Sequence, residues 1–463
     1  MYGIKSKMMQ TVNIVILAAG QGKRMNSSLP KVLHPVSTKP MLQHVIDTAL
    51  ELSPERLIVV YGHGGDQVQN TLLPIYGDKI QWAHQDQQLG TGHALKCALP
   101  YLSNSGVTLV LYGDVPLISL ATLQKMLAKY QDSIVMLTDE VDNPAGYGRV
   151  VRNSEFAITG IIEEKDASQS ERLIREINTG FYVLPNKKLA DWLSRLSNNN
   201  NQNEYYLTDV IGLAYQDGVE IDYVLSPHHY EVLGVNNKLQ LEQLERIYQL
   251  NRANKLLEAG VTLYDKTRIE IRGSIKAGKD CCVDVNCIFE GDVVLGDNVT
   301  IGAGCIIKNA TIADNVTIKP YTIIEEARIS AGAQIGPYAR LRPGTELAED
   351  THVGNFVEIK KSQVGKGSKI NHLTYIGDAN IGSKVNVGAG SVTCNYDGQN
   401  KFKTVIGDNV FVGSGTMLVA PVSLKNGSLI GAGSVITEDT PENELTLART
   451  KQVTVYGWKK RNK

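Results

Sequence analysis

The sequence predicts an α/β domain built on a parallel sheet, joined by a long helix to a solenoid of three-faced coils. Two patterns carry this. Between residues 12 and 130, buried-strand patterns alternate with helical ones, as in a parallel sheet with crossover helices. Beyond Val261, aliphatic residues recur at every sixth position, a period that fits neither an isolated helix nor an isolated strand. It fits coils that each carry three short flat faces, one inward aliphatic per face stacking on its counterparts above and below.

Residues 12–17, Val-Asn-Ile-Val-Ile-Leu, read as the first buried strand, and a small, Gly-containing loop follows at 18–24. Residues 41–52 read as a helix, 57–60 and 107–111 as strands, and 121–130 as a helix. The Asn-rich run 198–203 is a low-complexity loop. Leu241, Leu244, Tyr248, Ala253 and Leu257 give 239–257 a helical pattern that stops before Gly260, a C-cap. The expected domains are 1–236 for the α/β part, 237–260 for a linker helix, and 261–463 for the repeats with a tail.

The six-residue beat is clearest from Ile329 through Leu341, Leu347 and Val353 to Ile359, and again at Ile406, Val412, Leu418, Leu424, Ile430 and Ile436. Runs between these (Ile312, Ile318, Ile324; Val364, Ile370, Ile376; Ile381, Val387) keep the step but slip by one residue at the joins. Gly often follows the aliphatic, as in Ile301-Gly302, Ile376-Gly377 and Ile430-Gly431, where a tight corner favours a residue without a side chain. At about 18 residues per turn this makes roughly ten coils, nearly 50 Å long at about 4.8 Å per stacked strand.

A chain of 463 residues can bury ample core. Its net charge of −1 gives no global argument for a nucleic-acid or membrane partner. The basic end, Lys459-Lys460-Arg461 with Lys463, reads as solvated. No run approaches the length of a membrane span. The six cysteines show no C-x-x-C spacing, and no secretory signal precedes them. A reduced, cytoplasmic compartment with each thiol in core packing is expected. Met8 or Met9 could serve as the first residue as well as Met1.

Chemistry first concentrates at Leu17-Ala18-Ala19-Gly20-Gln21-Gly22-Lys23-Arg24-Met25, directly after the first strand. Small residues let backbone amides approach a phosphate or a base. The dinucleotide fingerprint and the P-loop both fail here, the first for want of a third Gly and a following acidic residue, the second for want of G-K-[ST]. With Leu29-Pro30-Lys31 a short step later, the segment resembles the sugar-phosphate nucleotidylyltransferases, in which the Gly-rich loop and two cations hold the nucleoside triphosphate. The run Gln85-Asp-Gln-Gln-Leu-Gly90-Thr91-Gly-His-Ala resembles that family's base-reading loop. Tyr112-Gly113-Asp114 ends a strand, where open α/β sheets place ligands. Gly148, Glu163, Asn178 and Asn236 stand in segments similar to those lining the sugar and ribose pocket of N-acetylglucosamine-1-phosphate uridylyltransferases. The resemblance implies a Rossmann-like nucleotidyltransferase domain that joins a sugar-1-phosphate to the α-phosphate of UTP, releasing pyrophosphate. Arg24 and Lys31 would meet the developing charge, and Asp114 and Asn236 would hold Mg²⁺, a hard ion suited to oxygen ligands. His93 reads as structural, since the attacking oxygen is already anionic and no proton needs moving.

The repeats resemble the hexapeptide-repeat acyltransferases, which implies a left-handed parallel β-helix. Two arginines lie in Arg340-Leu-Arg342, and Lys360 follows 18 residues after Arg342, stacking over it on one face. Two stacked cations suit a sugar phosphate. His372 stands two residues after an inward aliphatic and three before Tyr375, and imidazole titrates where a base for acyl transfer is useful. The only other histidine of the repeats, His352, reads as part of a solvated corner. The order His372, Tyr375, Asn386, Ala389, Asn395, Tyr396 is similar to that of the glucosamine-1-phosphate acetyltransferases. The resemblance implies that His372 is the base, and that Ser414, Ala432 and Arg449 contact acetyl-CoA or its acyl carbonyl from adjacent chains. Residues 397–403 interrupt the beat as an inserted loop would. Gly415 stands where Asp is expected, and the tail after Arg449 lacks an expected Val-Pro.

Taken together, the chain resembles the bacterial bifunctional enzymes that acetylate glucosamine-1-phosphate with acetyl-CoA and then make UDP-N-acetylglucosamine from UTP, feeding peptidoglycan and envelope lipids. That implies a cytoplasmic homotrimer assembled through the β-helix, with small-molecule substrates and neither nucleic acid nor membrane as partner. The rival readings are a monofunctional nucleotidylyltransferase with a regulatory β-helix, and a non-catalytic subunit of the same build. His372, Lys360 and the Asn395-Tyr396 loop speak against the first, and Arg24, Lys31 and Asp114 against the second.

Overall fold

The computed structural model describes residues 11–459 and divides into two compact units, Met1–Tyr248 and Gln249–Lys463. The alternative starts Met8 and Met9, and the basic residues beyond Lys459, lie outside the described residues.

The first unit is built on a sheet ordered Ile221–Leu225, Ile134–Glu140, Glu176–Pro185, Val107–Tyr112, Val12–Leu17, Arg56–Tyr61, Gln81–His84. Val12–Leu17 pairs in parallel with both neighbours, Ile16 opposite Val59 on one side and Leu111 on the other. Being covered on both faces, these strands are almost wholly apolar: Ile14 and Ile16 pack into one core and Val15 and Leu17 into the other. The sheet is not wholly parallel. Glu176–Pro185 runs antiparallel to both neighbours, because the chain enters it from the hairpin Arg149–Arg152/Ile158–Ile162 and not from a crossover helix. A strand's side-chain pattern does not record its direction, so the reversal leaves no local mark in the residues.

The helix Lys238–Glu258 spans the division between the units. It ends as its sequence suggests: Gly260 is left-handed at φ 93°, and the Gly260 and Val261 amides bond Leu257 and Leu256.

The second unit is a parallel β-helix. One face is an 11-stranded ladder, and the others form a continuous 17-stranded one. Val283, Ile301, Ile318, Ile335, Val353, Ile370, Val387, Val412 and Ile430 stack in register along the first face, all buried. The last rung, Leu445–Thr446, lies beyond the beat because its stacked position is Thr446, not an aliphatic. Stacked residues lie 17 or 18 apart in most coils, but Val412 sits on Val387, a longer step that accommodates the loop after Asn395.

The glycines after the inward aliphatics do stand where a side chain has no room; Gly336 is also left-handed at φ 90°, but most are not. Gly302 has no left-handed φ; a Cβ there would meet the backbone nitrogen of Pro320 at 2.8 Å, so the next coil demands the gap. The left-handed positions at one corner are instead held by Gly304, Tyr321, Tyr338, Phe356 and Leu373, then by Gly390, Gly415 and Gly433. The aromatic members stack, with ring centroids 5.2 and 5.5 Å apart.

Candidate active sites

A cavity of about 560 Å³ opens at the carboxyl ends of the parallel strands, lined by Leu17, Ala18, Ala19, Gly20, Lys31, Gln85, Gly90, Thr91, Tyr112 and Asp114 among others. The loop is stitched to both neighbouring strands: Ala18 N–H donates to the Val60 carbonyl at 2.8 Å, and Gly113 N–H donates to the Leu17 carbonyl at 3.0 Å. Gly22 is left-handed at φ 63°, and a Cβ there would lie 2.6 Å from Lys31 Cβ, so the loop runs close against the lysine only because Gly occupies this position. Lys31 Nζ is 2.5 Å from Asp114 Oδ2 and 3.4 Å from Asn236 Oδ1, and the lysine and aspartate side chains are 12% and 16% exposed. Asp114 and Asn236 thus turn oxygens toward one cation, the donor chemistry Mg²⁺ requires with substrate phosphates completing its shell. The residues present fit that ion.

Gln85 is 3% exposed. Its Nε2 donates to the Gly90 carbonyl and to His93 Nδ1, both at 3.1 Å. Gly148, Glu163 and Asn178 form a second cluster. A Cβ on Gly148 would approach Glu163 Oε2 to 3.5 Å and Asn178 Cβ to 3.6 Å, so Gly keeps the space between these side chains open. Thr208 donates to Glu163 Oε1 at 3.0 Å, and Tyr182 donates to Asn178 Oδ1 at 2.8 Å. Burial pushes the Glu163 carboxyl above the usual range; the Thr208 hydroxyl opposes this, while Asp209, Asp166 and Glu204 add to it.

Arg24 differs from its expected placement: it is exposed on a short turn and does not line the cavity, whereas Lys23 does. Gln21, Val32, Gln88, Ala94 and Glu204 also line it without having been singled out from the sequence. Gln88 could have been found, since it lies in the base-reading run. Glu204 follows the Asn-rich loop, and nothing local to that loop points to a ligand.

On the β-helix, His372 pairs with Asn355 of the coil before it, and its Nδ1 lies 2.8 Å from Asn355 Oδ1. The backbone then descends one corner: Gly390 N–H donates to the His372 carbonyl, Gly415 N–H to Ala389, and Gly433 N–H to Ser414. His372, Ala389, Ser414 and Ala432 therefore follow one another along a single column. Gly415 stands at its left-handed corner, φ 69°. Arg449 Nη1 donates to the Ala432 carbonyl at 2.9 Å. Across the corner, Arg342 pairs with Glu358 at 2.9 Å. The Lys401 ammonium pushes Lys360 below the usual lysine range; Arg342 adds to this and Asp378 opposes it. The Tyr375 hydroxyl lies over Gly377, where a Cβ would meet it at 2.5 Å and Asn395 Nδ2 at 2.9 Å. Asn395 donates to Asp378 Oδ2 at 2.5 Å. Asn386 stacks between Lys369 and Phe411. Tyr396 bonds the Gly398 carbonyl within the exposed inserted loop. His372, Ser414, Ala432 and Arg449 are exposed. His352, read from the sequence as part of a corner, is a half-buried strand residue of His352–Asn355, stacked between Gln334 and Lys369.

Residues 14–206 match the MobA-like NTP transferase domain, 271–353 the GMPPB C-terminal domain, and 403–438 six repeats of the bacterial transferase hexapeptide. Bifunctional protein GlmU of Chromobacterium violaceum is 59% identical over 98% of this chain and 99% of its own length. Those of Nitrosospira multiformis and Herminiimonas arsenicoxydans are 54% identical over 98% and 97% of this chain. The chain belongs to the bifunctional GlmU family. It is a bifunctional enzyme of UDP-N-acetylglucosamine synthesis, an acetyltransferase and a uridylyltransferase. The hexapeptide repeat makes the β-helix of this chain the left-handed kind, and the monofunctional and non-catalytic readings fall away.

Proposed function

We propose that the cavity of the first unit is the uridylyl-transfer site and that the His372 column is the acetyl-transfer site. The convergence of Lys31, Asp114 and Asn236 at the mouth of the cavity carries the first assignment. A phosphate oxygen of N-acetylglucosamine-1-phosphate attacks the α-phosphorus of UTP, the bond to the β-phosphate oxygen breaks, and pyrophosphate leaves. The attacking oxygen is anionic, so positioning and charge stabilisation are the whole demand. Gly20 and its neighbours cradle the triphosphate with backbone amides, Lys31 meets the charge growing on the leaving side, and Arg24 closes over it from the solvent side. Bound Mg²⁺, held by Asp114 and Asn236, supplies further neutralisation of phosphate charge. Gln85 with Gly90 and Thr91 reads the base, Tyr112 and Gly113 support the ribose side, and Gly148, Glu163 and Asn178 hold the sugar.

In the second site, Arg342 and Lys360 hold the phosphate of glucosamine-1-phosphate, with Tyr375, Asn386 and Asn395 around the sugar. His372 takes one proton from the substrate ammonium and passes it to solvent, then takes a second from the nitrogen as the freed amine attacks the acetyl carbonyl. The C–S bond then breaks, and the proton passes to the departing CoA thiolate. Ala389, Tyr396, Ser414, Ala432 and Arg449 receive acetyl-CoA. The exposure of this column on one chain favours a homotrimer in which copies share the site. Six free thiols suit a reducing cytoplasm, and no described helix is long and apolar enough to cross a membrane. A coupled assay with glucosamine-1-phosphate, acetyl-CoA, UTP and Mg²⁺ tests the assignment. Substitutions at Lys31 should stop pyrophosphate and spare CoA thiol, whereas those at His372 should stop CoA thiol yet still release pyrophosphate once N-acetylglucosamine-1-phosphate is supplied directly. Equal damage to both products by either set would overturn it.

A further inference from the structure

His93 has no place in the chemistry above. It is half-buried on the helix Thr91–Ala98 and does not line the cavity. Its one described hydrogen bond is to the residue that faces the base. We propose that His93 is a positioning residue that sets base specificity, by fixing which end of the Gln85 amide faces the nucleotide. This rests on Gln85 reading the base.

A glutamine amide presents an acceptor at one end and two donors at the other, and a half-turn exchanges them. Which end faces the cavity decides which base fits. Here the donor end is committed twice. The Gly90 carbonyl can only accept, so the Gln85 NH₂ must face it. Its second N–H then meets His93 Nδ1, which must accept, placing the imidazole proton on Nε2. Both donors are spent on protein, and among the described residues no donor bonds Gln85 Oε1. An acceptor-only group therefore faces the base.

Uracil carries a proton on N3 and satisfies that acceptor. Cytosine presents a lone pair at N3, setting acceptor against acceptor in a site where Gln85 is 3% exposed and water cannot readily intervene. The inverse arrangement, NH₂ toward the base, would favour cytosine. It would set Oε1 against the Gly90 carbonyl and would require the His93 proton to move from Nε2 to Nδ1. In the tautomer protonated on Nε2, His93 thus supports the orientation that the Gly90 carbonyl imposes, without touching substrate.

The test compares kcat/KM for UTP and CTP in the full-length enzyme with N-acetylglucosamine-1-phosphate, following pyrophosphate. His93→Asp keeps an acceptor at the same bond distance and should keep the parent UTP/CTP ratio. His93→Leu removes one of the two acceptors and should lower the ratio about 2- to 10-fold, the value of one neutral hydrogen bond. His93→Lys places a donor against the amide and should lower it further, chiefly by raising KM for UTP. A merely structural His93 predicts equal losses with both nucleotides and an unchanged ratio. If His93→Leu and His93→Lys both keep the parent ratio, the inference is overturned. Gln85→Ala separates the two levels: if it also keeps the parent ratio, the reading of Gln85 fails. If it collapses the ratio while the His93 variants do not, only the role of His93 fails.

Discussion

The two sites are built in opposite ways. In the first unit the functional side chains converge on a cavity of about 560 Å³, and each is held by another residue of the same unit, as Lys31 is by Asp114 and Gln85 by Gly90. On the β-helix the candidate residues run in single file along a corner, with His372, Ser414, Ala432 and Arg449 exposed. A twisted α/β sheet ends in loops of independent length and direction, which can close around a ligand. A coil of a β-helix repeats its neighbour, so its residues stack in columns and cannot enclose anything alone. The first architecture makes a complete site from one chain. On the proposed reading, the second makes half a site and leaves the rest to another copy.

The largest expected effect falls on the exposed side, at the proposed base. Replacing His372 by Ala should lower acetyl-transfer turnover by about 10²–10⁴-fold, the usual worth of general-base catalysis. Its exposed position leaves the fold and uridylyl transfer undisturbed. Steady-state rates of CoA thiol release decide it, and near-normal turnover across the pH range would move the base elsewhere.

The enclosed site should answer nearly as strongly and to the other assay. Lys31→Ala and Asp114→Ala should each cut pyrophosphate release by about 10²–10³-fold, because a preorganised charge in a sheltered site is lost. Acetyl transfer should be nearly unchanged. Arg24→Ala provides a sharper comparison: exposed as it is, it should cost less than Lys31→Ala. An equal cost would mean that the loop closes further on its substrate.

The same contrast explains what could be read from the sequence. Ile335, Val353 and Ile370 announced the β-helix because every coil repeats one demand, an aliphatic at the stacked position. Where a coil meets the demand differently, as at Thr446, the rung went unseen. In the first unit the Gly-rich loop, Lys31 and Gln85 were legible because close backbone approach restricts residue choice over a short span. Lys23 was not, since either cation of Lys23-Arg24 suits the motif and only the turn decides which enters the cavity. Glu204 arrives from a distant segment, and such convergence leaves no local trace. The antiparallel Glu176–Pro185 was hidden because side-chain pattern fixes burial but not direction.

If the half-site is completed between copies, defects in different chains should complement one another. His372→Ala and Arg449→Ala, each impaired alone, should regain part of the parent acetyl-transfer rate when unfolded and refolded together. The product to measure is CoA thiol, on assemblies verified to contain both chains. No recovery in verified mixed assemblies would mean that each chain carries a whole acetyl site. The same mixing with Lys31→Ala and Asp114→Ala should restore nothing, since their partners lie within one chain.

The smallest expected effect comes from enclosure itself. Burial raises the Glu163 carboxyl above its ordinary value, so the fold opposes its ionisation. The sign follows from the direction of the shift: the stability this group contributes is fully present below the unfolded carboxylate value and is lost as pH rises through the raised folded value. Glu163→Gln cannot ionise, and its carbonyl can still accept from Thr208. The unliganded variant should therefore melt close to the parent in acid and above it at neutral pH, by no more than a few degrees. Glu358 on the β-helix is the control, since its side chain is 33% exposed and its pairing with Arg342 is solvent-screened. Glu358→Gln should shift melting little at any pH. Calorimetric scans from about pH 5 to about pH 8 make the comparison. A Glu163→Gln difference that stays constant with pH would show that Glu163 does not feel its burial, and that the first site is wetter than its geometry implies.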